Sequence, residues 1–316
     1  MLCPTCQTEG RKFGKDRYGH QRYQCLTCRK TFSDRPARPL GEMRLPLDKA
    51  VEVLALMTEG VSVRATVRIT GVCKDTVLAL LEVVGRQVAD MMERRFIGLP
   101  VDDVQVDEIW GFVGMKEKTR KASHPDADEL GDAYCYVAIE RTTKLIMAWH
   151  LGKRDQMSTY DFMEKLNGAT AGRFQLTTDG WRSYPSSVDL FIDRPVDYAQ
   201  LIKTYAAPTE QRTYSPPEVV GTEKVCCKGT PDPNKICTSH VERQNLTIRM
   251  QVRRMTRLTN AFSKKWDNHR AALAIQFAAY NFCRNHGTIK MTPAMKAGLT
   301  DHRWTIEELL QLSSTH

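Results

Sequence analysis

The sequence lacks any apolar run of the ~18–20 residues that a transmembrane helix needs. Its first four residues, Met-Leu-Cys-Pro, contain no apolar signal region, and the chain has no internal repeat and no low-complexity tract. We therefore expect a cytoplasmic protein with no membrane partner, whose cysteines are free or metal-bound rather than paired in disulfides. The 316 residues are 41% hydrophobic and 26% charged, which is typical of one large globular domain or two to three smaller ones.

Positive charge is in excess. The chain has 46 Lys or Arg against 37 Asp or Glu, which gives a formal net charge of +9. This excess favours an anionic partner, although a generic basic surface would give the same number. Residues 1–35 alone contain eight Lys or Arg and three Asp or Glu. We expect this segment to lie against DNA phosphates, with Arg22 as a contact.

Four of the ten cysteines form two closely spaced pairs, Cys3 with Cys6 and Cys25 with Cys28. Thiolates two residues apart can sit on one tight turn, and two such pairs can surround one tetrahedral ion. The spacing therefore predicts one structural Zn²⁺ in a zinc ribbon over residues 1–35, which is too short to fold on an apolar core alone. A redox motif is the alternative, but it would not need two copies. Residues 35–41 are predicted to be a linker.

Residues 45–97 have apolar positions at helical spacing, interrupted by Gly60 and Gly71. A helix, a short helix, a glycine turn and a further helix are the layout of a helix-turn-helix DNA-binding domain. Lys74 and Thr76 would then begin the recognition helix and contact DNA. An ordinary helical hairpin is the alternative interpretation.

From residue 101 the apolar spacing changes to that of strands, which predicts an α/β domain with a mixed sheet over residues 100–285. Residues 207–237 are rich in Pro, Thr and Gly and predict a long loop. Residues 286–316 are predicted to be a C-terminal tail. The predicted strands cover 104–113, 134–139, 144–150, 174–178 and 197–204, and the predicted helices cover 158–167, 186–191, 241–255 and 261–284.

Two of the predicted strands end in an aspartate, Asp107 and Asp179. If the first and fourth strands are neighbours, these carboxylates meet, and they repel each other unless cations lie between them. Mg²⁺ or Mn²⁺ would suit oxygen ligands, and two ions ~3.5–4 Å apart can activate an attacking oxygen and stabilise a leaving one. Glu108 should point to the opposite side of the pleat. Either aspartate alone also fits an ordinary turn.

A third carboxylate, Glu242, opens an arginine-rich helix. By the 3.6-residue period, Glu242, Arg249 and Arg253 share one face, which suits a metal ligand beside a phosphate backbone. A capping box from Ser239 to Glu242 competes for the same carboxylate. The other predicted DNA contacts are Arg243, Arg254 and Arg257, with a solvated basic face as the alternative.

Several other side chains allow two interpretations. His240 lies two residues before Glu242 and could contact the substrate or a metal, or be a surface histidine. Cys226, Cys227 and Cys237 could join His240 in a second zinc site, but their spacing matches no established pattern. Trp110 and Trp181 follow carboxylates and could stack on bases or belong to the core.

Over nearly its whole length the chain resembles the transposases of the smallest bacterial insertion sequences, the insertion-sequence-one family. The resemblance implies a zinc-ribbon and helix-turn-helix region that binds element ends, followed by a ribonuclease-H-like DDE domain. It makes Asp107, Asp179 and Glu242 the magnesium-binding triad and Arg249 the basic residue two turns after the glutamate. The motifs that carry it are the four cysteines, residues 106–110 (VDEIW), 177–180 (TTDG), 241–249 (VERQNLTIR) and 253–265 (RRMTRLTNAFSKK).

The resemblance also implies a function, metal-dependent cleavage of DNA and transfer of the cut strand. The partners would be double-stranded DNA, as terminal inverted repeats and target, within the bacterial or archaeal nucleoid. A homodimer or larger assembly is expected because two ends must be joined. Two alternatives remain, a catalytically idle sequence-specific DNA-binding regulator and a structure-selective nuclease that hydrolyses but never joins strands.

Overall fold

The structure is a computed structural model that describes residues 1–17, 19–33, 39–206, 219–257 and 259–314. Tyr18, the predicted domain boundary at residue 35 and most of the predicted linker therefore lie outside the described residues. No helix in the described ranges is long and apolar enough to cross a membrane.

The N-terminal segment is a three-stranded antiparallel sheet of β1 (Gly10–Lys15), β2 (Gln21–Cys25) and β3 (Thr31–Ser33). Tyr23 and Phe32 stack across β2 and β3, with ring centroids 5.8 Å apart. Nearly all other side chains of this sheet are exposed or half-buried. The segment thus has little apolar core of its own, and it depends on the four cysteines that flank its strands.

Three helices follow, α1 (Leu47–Thr58), α2 (Val63–Thr70) and α3 (Lys74–Arg95). The Ser62 hydroxyl accepts a hydrogen bond from the Ala65 N–H and caps α2. Gly71 ends the helix with a left-handed φ of 71°. This is the predicted succession of helix, short helix, glycine turn and helix. Lys74 is exposed in the first turn of α3.

The remaining strands are β4 (Leu99–Pro100), β5 (Asp103–Val113), β6 (Gly131–Glu140), β7 (Ile146–Gly152), β8 (Thr170–Ala171), β9 (Phe174–Asp179), β10 (Val196–Tyr205) and β11 (Val219–Lys228). Strands β4 and β8 form a separate short pair, and the other six form the central sheet in the order β11-β10-β9-β5-β6-β7. Strands β5, β6 and β7 form an antiparallel meander, β9 and β10 continue the sheet parallel to β5, and β11 pairs with β10 antiparallel. The predictions of a mixed sheet and of neighbouring first and fourth strands are confirmed.

Helices cover both faces of the sheet. They are α4 (Glu117–Ser123), α5 (Gln156–Ala169), α6 (Tyr184–Phe191), α7 (Ser239–Gln251), α8 (Trp266–Ala278) with a π-helical turn Ala279–Cys283, α9 (Pro293–Lys296) and α10 (Ile306–Ser313). On one face Phe162 of α5 packs on Tyr136 of β6. On the other face Phe277 of α8 packs on Trp149 of β7. Helix α7 lies on the α8 face, where its first residues bond to Gln105 of β5.

Strand β11 corrects the predicted loop over 207–237, of which 207–218 lie outside the described residues. Its side chains are exposed or half-buried along its whole length. The strand therefore lacks the apolar alternation by which a strand is recognised in sequence. Its backbone pairing with β10 holds it at the sheet edge.

The bounds of the last two predicted helices, 241–255 and 261–284, also differ in the structure. Helix α7 ends at Gln251, and Arg253–Met255 is a separate 3-10 turn. Helix α8 begins at Trp266 rather than residue 261. Residues 286–314 are not an extended tail, because they contain α9 and α10, and Trp304 stacks on Phe282 with ring centroids 4.3 Å apart.

Helices α3 and α8 approach each other closely at Gly85. A Cβ atom added there would lie 2.5 Å from the Cα of Ala271, which is inside any normal contact distance. Glycine normally weakens a helix, so its place in the middle of α3 is explained by this backbone contact. The contact joins the predicted helix-turn-helix segment to the sheet domain.

We predict that Gly85→Ala lowers the free energy of unfolding by about 1–3 kcal/mol, because the added methyl group forces the helices apart. This would outweigh the ~1 kcal/mol by which alanine favours a helix interior. Urea unfolding measures the change. Gly168→Ala, in α5 with no atom within 4 Å of the added carbon, is the control and should be neutral or stabilising. Equal effects of the two substitutions would contradict the close contact.

Candidate active site

Asp107 and Asp179 come together where β5 and β9 run side by side. In the parallel register Val106 lies opposite Thr178, and each aspartate is the next residue of its strand. The prediction that both aspartates end strands is wrong for Asp107, because β5 continues to Val113, whereas Asp179 is the last residue of β9. Carboxylate oxygens of Asp107, Glu108 and Asp179 all lie within 4.8 Å of one another. Asp107 and Asp179 are half-buried, and the side chain of Glu108 is buried. The sheet thus gathers three acidic groups at one place.

Glu108 is a member of this cluster that the sequence interpretation left out. It bonds to the hydroxyl of Tyr184 on α6, whereas Asp107 accepts a 2.9 Å hydrogen bond from Asn245 on α7. The two side chains therefore leave the strand toward different faces, as the pleat requires. The Glu108 carboxylate nevertheless stays beside Asp107 and Asp179. Strand alternation gives the direction of a Cβ atom, not the position of a carboxylate two bonds further out.

Arg154 supplies positive charge to the cluster. Its guanidinium donates to Glu108 Oε2 at 3.1 Å and to Asp179 Oδ2 at 3.3 Å. It also lies 4.5 Å from the ring centroid of Trp181. The Trp181 indole N–H donates to Thr159, so this ring is packed within the protein and supports Arg154. Sequence gave no signal for Arg154, which precedes α5 in an otherwise ordinary loop.

Glu242 lies near the cluster but outside the 4.8 Å group. Its carboxylate accepts hydrogen bonds from Lys203 of β10 and from the Thr238 hydroxyl. The cap residue of α7 is Thr238, with no side-chain capping bond. The capping box proposed for Ser239 and Glu242 is therefore wrong. Lys203, another residue that the sequence did not single out, places an ammonium group beside Glu242.

Burial and mutual repulsion make these carboxylates hard to ionise. Burial, helped by the charges of Asp179 and Glu242, raises the pKa of Asp107 to about 7. Burial and the charge of Asp179 raise the pKa of Glu108 to about 8. Burial also raises the pKa of Asp179. Carboxylates crowded in this way favour either a proton or a nearby cation.

The donor set fits hard divalent cations. Clustered carboxylate oxygens are the ligands preferred by Mg²⁺ and Mn²⁺. The amide oxygen of Asn245 is buried and has no hydrogen-bond partner among the described residues, although the nitrogen of the same amide bonds to Asp107. A further oxygen donor is therefore available. The carboxylates of Asp107, Glu108 and Asp179 are the residues that could hold such ions.

The four paired cysteines converge as their spacing predicts. Cys3 and Cys28 have Sγ atoms 3.7 Å apart, and Cys6 and Cys25 have Sγ atoms 3.3 Å apart. All four sulfurs lie within 4.8 Å of one another. A tetrahedral zinc ion with Zn–S bonds of ~2.3 Å needs sulfurs roughly 3.8 Å apart. The cluster therefore fits one Zn²⁺.

The second zinc site considered for Cys226, Cys227, Cys237 and His240 does not form. These residues make no metal-binding group within the part of the chain that the structure describes. Cys237 accepts a hydrogen bond from Gln105, and His240 Nδ1 faces the ammonium of Lys144 at 3.2 Å.

Arg249 and Arg254 are engaged inside the protein. Arg249 donates to the carbonyls of Met255 and Trp110, and it ties the end of α7 to β5. Arg254 donates to Ser263 Oγ and to a carbonyl of α8. Burial and the charge of Arg257 lower the pKa of Arg249 to about 10. Burial lowers the pKa of Arg254 to about 10. These bonds give both arginines a structural role, and their roles at the active site and at DNA stay predictions.

The remaining predicted DNA contacts are more accessible. Arg243, Arg253 and Arg257 are exposed. Arg253 is not on the face of α7 with Glu242, because that helix ends before it. Arg22 is half-buried over the ring of Phe13, at 5.5 Å from its centroid, and Thr76 is half-buried in the first turn of α3.

Comparison with models of known protein families gives no match for the chain. Among solved structures, the chain is similar to a cryo-EM structure of the piggyBac transposase synaptic complex with hairpin DNA. The sequence identity is 10% and the TM-score is 0.38, over 85% of this chain and 70% of that one. A likeness this distant identifies neither the family nor the function of the chain.

We predict that Asp107→Asn stabilises the protein above pH 7 when no divalent cation is added. The folded-state pKa of about 7 exceeds the unfolded value of ~3.9, so the stability contributed by protonated Asp107 is complete below pH ~4 and lost as the pH rises through 7. The variant should exceed wild type by about 1–3 kcal/mol at pH 8 and by less at pH 5.5. Urea unfolding at both values measures this difference.

Asp197→Asn is the control for that measurement. A hydrogen bond from Arg173 lowers the pKa of Asp197 to about 2, so its loss should destabilise the protein equally at both pH values. Added Mn²⁺ at pH 8 should stabilise wild type and Asp197→Asn more than Asp107→Asn. Identical pH and Mn²⁺ responses in all three proteins would rule out the crowded carboxylate site.

Proposed function

We propose that this protein is a metal-dependent phosphoryl-transfer enzyme that acts on DNA. The observation that carries the proposal is the convergence of Asp107 and Asp179 on the neighbouring strands β5 and β9, with Glu108 in the same group. The net charge of +9 supports a polyanionic substrate. Together they support a carboxylate-held cation site that meets a phosphate backbone.

We infer further that the sheet domain is ribonuclease-H-like. An antiparallel meander followed by two strands parallel to its first strand supports this fold, with one aspartate on that first strand and one on the fourth. Glu242, at the start of α7, completes the proposed DDE triad. For this its carboxylate must leave the ion pair with Lys203 and bind a metal ion instead. When bound, two Mg²⁺ or Mn²⁺ ions would activate the attacking oxygen and stabilise the leaving oxygen.

The residues of the chain have distinct tasks in this chemistry. Asp107, Asp179 and Glu242 hold the cations, with Glu108 as a further carboxylate. Arg154, stacked on Trp181 beside Asp179, can donate to a non-bridging oxygen of the scissile phosphate. Such positioning and charge stabilisation suffice for phosphoryl transfer without a covalent protein intermediate.

The finer proposal is a DNA transposase of an insertion sequence. The zinc ribbon held by the four cysteines, with Arg22, and the helices that present Lys74 and Thr76 would bind the element ends. Arg253 and Arg257 would contact DNA nearer the carboxylates, and Arg243 would contact it from the exposed surface of α7. A water molecule would cleave the strand, and the freed 3′-hydroxyl would attack target DNA. A homodimer or larger assembly would bring two ends together.

We predict that Asp107→Asn, Asp179→Asn and Glu242→Gln each lower cleavage and joining by at least ~100-fold, because each removes a charge that holds a cation at the reacting phosphate. The assay uses labelled DNA from both flanks of the encoding gene with Mg²⁺ or Mn²⁺. Products with 3′-hydroxyl ends and joined strands are separated on denaturing gels. DNA binding by the variants should persist.

The matched control is Asp126→Asn, which removes an exposed carboxylate from the segment before β6 and should leave both reactions unchanged. Full activity of the Asp107 or Asp179 variant would exclude the proposed site. Cleavage without joining would favour a structure-selective nuclease. Binding without cleavage by wild type, with either ion, would favour a DNA-binding regulator.

A further inference from the structure

A second polar cavity lies beside α7, away from the carboxylates. By the 100° rotation per residue of a helix, His240, Gln244 and Thr247 share one face. Glu242 and Asn245, which face Lys203 and Asp107, lie on the opposite face. The cavity has a volume of about 390 Å³ and opens between the first face of α7, the turn before β7 and the loop after α8. It is therefore separate from the proposed metal site.

The lining of this cavity is basic. Lys144, Arg243 and Arg284 contribute cationic groups, and His240 and His286 contribute two imidazoles. No Asp or Glu side chain is among its described lining residues. Arg284 is paired with Glu59 outside the cavity, but the other cationic groups of the described lining have no carboxylate beside them there, so the cavity favours an anion.

Lys144 is the most informative of these residues, because its side chain is buried. The residue is 8% exposed, and the described residues include no ion-pair partner for it. Its ammonium donates to the carbonyl of Arg141 and faces His240 Nδ1 at 3.2 Å. An ammonium has three N–H donors, so one remains for a ligand. The carboxylate of Glu140 attracts this ammonium without forming an ion pair, and burial still outweighs that attraction and lowers the pKa of Lys144. An anion in the cavity would offset the remaining cost of burial.

The cationic groups are also held in place. The Tyr280 hydroxyl donates to the Lys144 carbonyl at 3.0 Å, which fixes the turn that carries the lysine. Arg284 donates to the carboxylate of Glu59 at 2.5 Å and to the carbonyl of Thr58 at 3.3 Å. Arg243 is exposed on α7 and can close over a ligand. A preorganised basic pocket loses less entropy when it binds.

The size and donors of the cavity indicate the class of ligand. A volume of 390 Å³ falls in the ~300–1,000 Å³ range of small-molecule sites and exceeds what a halide needs. Guanidinium forks and an ammonium suit the several oxygens of a phosphate group. A phosphate with its attached sugar matches both the charge and the space.

We propose that this cavity is a phosphate-binding pocket and that it takes a backbone phosphate of bound DNA, away from the phosphate at the carboxylate site. The assignment of that phosphate to DNA rests on the proposed function. The affinity of the pocket for phosphate groups rests on its lining alone and is independent of the proposed function. DNA held here would be anchored on one side of α7 while the carboxylates act on the other.

The test compares wild type, Lys144→Met and Arg243→Ala in full-length, zinc-loaded protein without added Mg²⁺. Fluorescence anisotropy of a labelled 30-base-pair duplex, at several salt concentrations, gives DNA affinity. Calorimetry with a deoxynucleoside 5′-monophosphate and with inorganic phosphate tests free ligands. Thermal melting shows that each variant is folded. Lys118→Ala removes one exposed positive charge from α4 and is the matched control.

We expect Lys144→Met and Arg243→Ala each to weaken duplex binding about fivefold or more. The slope of log affinity against log salt concentration should fall by about one phosphate contact, and Lys118→Ala should bind as wild type does. Unchanged duplex binding in both pocket variants, with no free phosphate bound by wild type, would overturn the pocket. A nucleotide that binds wild type through Lys144 without displacing DNA would overturn the DNA assignment. Cleavage is scored separately, so a protein that fails to cut DNA can still show the pocket.

Discussion

Electrostatic repulsion among the carboxylates of Asp107, Glu108 and Asp179 is the constraint on which the proposed site depends. Parallel pairing of β5 with β9 places the two aspartates on adjacent strands, side by side, and the fold does not separate them. Burial strengthens the repulsion and raises the pKa values of these groups. Arg154 and Lys203 counter part of the charge from the α5 and β10 sides. Divalent metal ions would relieve this repulsion, and they would replace the protons on the carboxyl groups and the charged groups of Arg154 and Lys203.

Helix α7 connects this cluster to the rest of the protein. Its Asn245 bonds to Asp107, and its Arg249 bonds to the carbonyl of Trp110, so one face of the helix is attached to β5. The opposite face lines the basic cavity that contains Lys144 and Arg284. Arg284 in turn bonds to Glu59 at the end of α1. The N-terminal helices, the basic pocket and the carboxylates thus share one continuous set of contacts.

Sequence reasoning succeeds here where local patterns determine geometry. The spacing of Cys3, Cys6, Cys25 and Cys28 is set by two tight turns, and the adjacency of Asp107 and Asp179 follows from strand order. Sequence reasoning fails where contacts between distant parts of the chain determine which side chains come together. Arg154 and Lys203 reach the carboxylates from separate elements, and the carbonyl partners of Arg249 and Arg254 inside the fold leave no pattern in the sequence. Strand β11 has no apolar alternation, and its backbone pairing with β10 holds it at the sheet edge.

The central claim is that the carboxylates hold divalent cations at the reacting phosphate. Anomalous diffraction from crystals of the protein soaked in Mn²⁺ tests it most directly, because manganese is located without reference to activity. The account predicts two peaks between the middle of β5 and the end of β9, within ~2.1 Å of oxygens of Asp107 and Asp179, with Arg154 or Lys203 displaced from its carboxylate partner. Peaks only at other surface carboxylates, with both salt bridges intact, would contradict it.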